Sequence, residues 1–182
     1  MPCTADRGGW KAENCSMDKQ EYELPTCCIN TTNDKNEICS IIKACDAAFE
    51  KPVSERDIYP DLLRKICRNG IFAFACQEEP AAYCAFYAND ADSLTAYISL
   101  IAVKPEYQHL HIGQRLLTYC LEIAADRGMH FCALEVKKNN SSAIRFYEKN
   151  GFVFLSEREN SYLMRKKLMP KITSNDDQCT RT

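Results

Sequence analysis

The stretch EYQHLHIGQRLL, residues 106–117, follows the apolar run SLIAVKP and passes into an amphipathic stripe, the layout of a strand feeding a helix. The first turn of such a helix leaves backbone N–H groups without partners. Their partial positive charge attracts anions, phosphate among them. Gly113 is the only glycine in this turn, and His109 and His111 stand on either side of Leu110. In a left-handed or crowded position a histidine costs on the order of 1 kcal/mol relative to glycine. It leaves the main-chain donors intact, however, and an imidazole can itself donate to phosphate. The same turn also reads as an ordinary strand-to-helix connection. As a metal pair, His109 and His111 lack a visible third ligand, so no metal site is expected.

The elements that must position this turn follow from the period of the apolar residues. Ile38, Ile41, Ile42, Cys45, Ala48 and Phe49 recur at three- and four-residue steps, which predicts a helix that Pro52 stops. SERD at 54–57 has the spacing of an N-terminal cap for a second helix, which carries Leu62, Leu63 and Ile66 and ends at Asn69-Gly70. Three runs with strand character come next, 71–77, 81–87 and 94–103, separated by EEP and NDADS and expected to pair as an antiparallel meander. The period then turns helical through Ile112, Leu116, Leu117, Cys120, Ile123 and Ala124, as far as Gly128. A strand at 130–136, a helix at 141–150 closed by Asn150-Gly151, and strands at 152–156 and 161–168 complete the order ααβββαβαββ. That order is a mixed α/β domain over 37–168 with one strand-helix-strand crossover. Residues 1–36 are polar and without periodicity, so they are expected to form a mobile extension, and 169–182 a frayed tail.

A length of 182 residues suits one domain, and a formal net charge of −2 gives no general pull toward nucleic acid or an anionic membrane. A small-molecule partner is the expectation. Cys76, Cys84, Cys120 and Cys132 lie inside apolar runs, where a thiol acts as a small hydrophobe, and no Cys-x-x-Cys occurs among the 12 cysteines. With no secretory leader and no apolar run of about 18 residues, a reducing cytoplasm is expected.

A second constellation is NNSSAIRFYEKNGF, residues 139–152. Asn140, Ala143, Phe146, Tyr147, Lys149, Gly151 and Phe152 stand in the register N-x-x-A-x-x-F-Y-x-K-x-G-F, and the chain here resembles the GNAT acyltransferase superfamily. Val103, Pro105, Tyr107, Gln108 and Gly113 match the V-x-P-x-Y-[QR]-x-x-G-x-G block of that family, with His109 and His111 where it usually carries glycine. The resemblance implies a mixed, mostly antiparallel sheet whose strands 94–103 and 130–136 splay apart. It also implies acetyl-CoA as acyl donor.

Residue by residue, the resemblance implies that Ile101, Ala102 and Val103 line the pantetheine arm, and that an N–H near Leu100 or Ile101 stabilises the tetrahedral oxyanion. Gln108, His109, Leu110, His111, Ile112, Gly113 and Gln114 would hold pyrophosphate. Asn140 would bond the arm, or serve only as a helix cap. Tyr147 would protonate the departing thiolate, since a phenol of ordinary pKa about 10 keeps its proton at neutral pH. Without the motif it reads as a packing aromatic. Glu135 is the first candidate for general base, with Tyr97 and Ser99 as relay groups. Their plain alternatives are a solvated strand residue, a core residue and a small polar filler. Acceptor choice would fall to residues 38–68, FEKPVSER especially. The activity implied is transfer of an acetyl group to an amine of a small metabolite, amino sugar or peptide by direct attack. A catalytically silent CoA-binding module is the alternative, and the final strands could support a homodimer.

Overall fold

The computed structural model describes residues 27–76 and 78–169. Its elements in chain order are β1 (Cys28–Thr32), α1 (Lys35–Ala44), α2 (Tyr59–Asn69), β2 (Ile71–Cys76), β3 (Pro80–Tyr87), β4 (Thr95–Val103), α3 (Ile112–Asp126), β5 (Phe131–Lys137), α4 (Ser141–Lys149), β6 (Val153–Glu157) and β7 (Ser161–Lys167). They build one seven-stranded sheet in the order β1-β2-β3-β4-β5-β7-β6. Every neighbouring pair is antiparallel except β4 and β5, which α3 joins as a crossover. This is the mixed α/β architecture that the period changes and the resemblance predict.

Alternation along the strands divides the core between two faces. Phe72, Phe74, Tyr83 and Ala85 turn toward Ile38, Ile41 and Ile42 of α1 and Leu63 and Ile66 of α2. Ala73, Ala75, Cys84, Phe86, Ala96 and Ile98 turn toward Ile112, Leu116, Leu117, Cys120 and Ala124 of α3. Because β2 and β3 are covered on both faces, their sequences are almost continuously apolar. Cys84, Cys120 and Cys132 are core thiols as expected, while Cys76 at the strand end is only half-buried. Among the described residues no helix is long and apolar enough to cross a membrane.

Three expectations are corrected. The folded unit begins before residue 37, because β1 pairs with β2 along its length, from Cys28 opposite Cys76 to Thr32 opposite Phe72. As an edge strand its side chains are mostly exposed, so CINTT carries no apolar alternation to read. Residues 1–26 and 170–182, which hold most of the expected extension and tail, lie outside the described residues. The first helix ends at Ala44, short of Pro52, and a short 3₁₀ turn at Asp46–Ala48 follows. The SERD cap does not form. Asp46 instead takes the N–H groups of Val53 and Ser54 at 2.6 and 3.3 Å and the Ser54 hydroxyl at 2.5 Å, and α2 opens after Ile58 with Pro60 in its first turn.

Candidate active site

The site begins with an irregularity in β4. Ala85 of β3 faces Leu100, but the next residue, Phe86, faces Ile98, so Ser99 is an extra residue, a β-bulge. Parallel pairing of β4 with β5 runs from Thr95 opposite Phe131 to Ile98 opposite Leu134 and ends at the bulge. Beyond it β4 stays with β3, Leu100 to Val103 against Ala85 to Ala82, and β5 stays with β7, Glu135 to Lys137 against Leu163 to Ser161. The two strands therefore part. Their facing main-chain edges are left open to an extended ligand, which can pair with them as a further strand would.

At the end of β4 the chain enters the anion-attracting loop. Lys104 is buried; its Nζ lies 3.0 Å from Glu79 Oε1 and 4.0 Å from Glu106 Oε1, and its N–H donates to Ala81 O at 2.9 Å. This ties the start of the loop to the β2–β3 hairpin. Gln108 folds back, its Nε2 donating to Val103 O at 3.3 Å. His109 and His111 both have positive φ, 68° and 58°, the left-handed conformation for which glycine is the inexpensive residue. His111 O accepts the first helical bond, from Arg115 N at 3.0 Å, so the N–H groups of Ile112, Gly113 and Gln114 point out of the first turn of α3. A Cβ on Gly113 would stand 3.1 Å from Val103 Cγ2 and 3.8 Å from Phe146 Cζ. Glycine thus lets this turn lean on β4 and α4 together, beside Ile101, Ala102 and Val103 at the parting.

The structure places Tyr147 and Glu135 on opposite faces. Tyr147 is 7% exposed and belongs to the core cluster of Cys132, Leu134 and Val136, meeting Phe146 and Phe152 edge-on at 5.3 and 5.7 Å. Burial, reinforced by the nearby Cys84 and Cys132 thiols, pushes its phenol far above the ordinary value, so it holds its proton at any physiological pH. Glu135 alternates outward between Leu134 and Val136, one residue past the last β4–β5 pair. Its Oε2 accepts from Ser161 Oγ at 3.1 Å and its Oε1 lies 3.3 Å from Arg158 Nε. The half-buried Tyr97, opposite Ala133 and so on the same face of the sheet as Glu135, has its pKa raised first by burial and then by the charge of Glu135. Asn140 caps α4, its Oδ1 accepting from Ala143 N at 3.1 Å and Ser142 Oγ at 3.0 Å; its amide N–H₂ takes no part in the cap.

Two residues went unnoticed in the sequence. Arg158 lies on the β6–β7 turn, and nothing local ties it to Glu135, 23 positions earlier. Lys104 sits between Val103 and Pro105 of a recognised motif, but its burial depends on Glu79 across the sheet. A hollow of about 510 Å³ is lined by Lys35 of α1 and by Tyr59, Leu63 and Cys67 of α2 among others, and no residue of the parting lines it.

A mixed sheet parted beside a left-handed amide loop defines an α/β protein with a cleft for an extended, anion-headed ligand. The model of the acetyltransferase (GNAT) family matches residues 36–152, and the chain belongs to that family. Spermidine N(1)-acetyltransferase of Thermoplasma acidophilum is 38% identical over 80 residues, 44% of this chain and 47% of that protein. The [ribosomal protein bS18]-alanine N-acetyltransferase of Escherichia coli K12 is 39% identical over 62 residues, 34% of this chain and 42% of that protein. The chain thus spans under half the length of either relative. In fold it is similar to the PaiA N-acetyltransferase of Thermoplasma acidophilum, a structure in complex with coenzyme A: the TM-score is 0.60 at 20% identity, covering 77% of this chain and 99% of that one.

Proposed function

We propose that this protein is an N-acetyltransferase that moves an acetyl group from acetyl-CoA to an amine. The observation that carries the reading is the parting of β4 from β5 at Ser99, with the free amides of α3 at its mouth. Acetyl-CoA would bring the activated thioester; the remaining work belongs to side chains and amides of this chain. The N–H groups of Ile112, Gly113 and Gln114, with those of His109, Leu110 and His111, hold the pyrophosphate, and Ile101, Ala102 and Val103 line the arm. Asn140 contributes its free amide N–H₂. Glu135, with Tyr97 beside it, takes the proton of the incoming ammonium on one face of β5. Tyr147, neutral on the other face, gives a proton to the departing sulfur. The opposed faces let amine and thiol enter and leave without crossing.

The names of the relatives support a polyamine or the amino terminus of a peptide as first acceptors to try. The turn at 45–57, braced by Asp46 and by Arg56 stacked 5.0 Å over Phe49, is the proposed acceptor-selecting wall. A reducing cytoplasm is the proposed setting, in keeping with the unpaired thiols of Cys84, Cys120 and Cys132. The exposed Val153, Phe154 and Leu155 of edge strand β6 offer a surface for a homodimer.

The test has two steps. Acetyl-CoA at 100 times its Kd raises native stability by about 2.7 kcal/mol, read as a shift in Tm. Tyr147→Phe then lowers kcat by about 10²- to 10⁴-fold on spermidine or an alanine-terminated peptide while the Tm shift persists. No Tm shift refutes both the transferase and a silent CoA module; a shift with no turnover across an amine panel leaves the silent module standing.

A further inference from the structure

Both oxygens of Glu135 are already engaged, Oε1 by the guanidinium of Arg158 and Oε2 by the hydroxyl of Ser161. Arg158 stands on a turn closed by its own N–H, which donates to Ser161 O at 2.9 Å. That turn is anchored to the end of β5: Lys138 Nζ lies 2.6 Å from Glu157 Oε1, and Lys138 N donates to Asn160 O at 3.2 Å. These bonds hold the turn, while the Arg158 side chain is 56% exposed, with solvent on its open side.

We infer that Arg158 is a positioning residue that holds the cation place at Glu135 in the free protein and yields it to the ammonium group of the acceptor. The inference rests on the reading of Glu135 as the base. An amine that is to lose its proton to Glu135 must bring an N–H within hydrogen-bond reach of a carboxylate oxygen. Ser161 and Arg158 each take one acceptor position, one per oxygen, and a second cation drawn to Oε1 beside the guanidinium would be repelled by it. Exchange of one cation for another keeps the carboxylate paired throughout, so its partly desolvated charge is never left alone. The ligand class that can make this exchange is a primary ammonium; a neutral arylamine brings no charge to replace the guanidinium. An exposed ion pair is weak, so the acceptor pays only about two- to fivefold in KM to displace it.

The experiment uses the full chain and a tetrapeptide amide beginning with alanine, with acetyl-CoA as donor for the kinetics and coenzyme A for the spectra. Arg158→Gln is expected to lower KM for the peptide about two- to fivefold, the change falling on KM and not on kcat, with Arg158→Lys close to wild type. In ¹⁵N spectra the Nε–H resonance of Arg158 should move from a hydrogen-bonded to an exposed position when saturating peptide is added to the CoA-loaded protein. A KM that stays level or rises in Arg158→Gln, or a resonance that peptide does not move, overturns the inference. Glu135→Gln is measured alongside. Loss of kcat there with an unmoved Arg158 resonance defeats the placeholder alone, whereas intact kcat with a moved resonance upholds the placeholder and defeats the base assignment alone.

Discussion

From Thr95 to Ile98, β4 pairs with β5, and at Tyr97 and Ile98 with β3 as well, and Ala96 and Ile98 are buried; from Leu100 to Val103 it pairs with β3 only, and Ile101 and Val103 are half-buried. The same strand is thus a core ladder in its first half and one lip of a cleft in its second. The side-chain pattern hardly changes between them, since Ile98 and Ile101 both lie on the α3 face. What separates the halves is one residue of backbone, Ser99. A binding cleft here comes from an interruption in hydrogen bonding and not from a change in composition.

The largest expected effect sharpens that contrast through packing. Leu134, 1% exposed at the last paired position, should lose about 2–5 kcal/mol of stability as Leu134→Ala, measured by urea unfolding. Ile101→Ala, half-buried at the parting, should lose less than half as much. Deleting Ser99 is meant to break the contrast. It would set Leu100 beside Glu135 and Ile101 beside Val136 with alternation intact, so the strands can zip together. The deletion variant should still fold, yet lose the stabilisation of about 2.7 kcal/mol that acetyl-CoA gives at 100 times Kd. A variant that folds and keeps that shift would show the bulge to be incidental.

The loop carries smaller effects. Gly128 and Gly151 hold φ of 80° and 81° at the ends of α3 and α4, while His109 and His111 hold 68° and 58°. An added Cβ on Gly128 meets nothing within 4 Å, so Gly128→Ala isolates the conformational cost, expected at about 1 kcal/mol of destabilisation. The reverse change, His111→Gly, should recover up to about 1 kcal/mol and tighten acetyl-CoA binding in titration calorimetry. A tenfold weakening, about 1.4 kcal/mol, would instead make the imidazole a phosphate ligand.

Much of this was legible because local chemistry reports it. The switch of period at Ile112, the stops at Gly128 and Gly151, and the two motif blocks each depend on neighbouring residues, and each fell where the structure has it. Of the left-handed and crowded conformations that a glycine position filled by histidine left open at His111, the structure has the left-handed one. What stayed hidden is long-range. CINTT joins the sheet through main-chain bonds to β2 that leave no trace in its side chains. Ser54 looked like a helix cap because Asp46, its true partner, arrives from eight residues earlier. Ser99 has no local mark of a bulge, and the meeting of Glu135 with Arg158 and Ser161 depends on how β5 and β7 align.

The central claim is that the open main-chain edges beyond Ser99 receive the arm of acetyl-CoA. Amide hydrogen exchange with and without acetyl-CoA tests it most directly. Slowed exchange confined to Leu100–Val103, the lip of β5 from Glu135, and His109–Gln114, with Thr95–Ile98 unchanged, is the predicted result. Protection spread evenly over the sheet, or none at those amides while acetyl-CoA is bound, would contradict it.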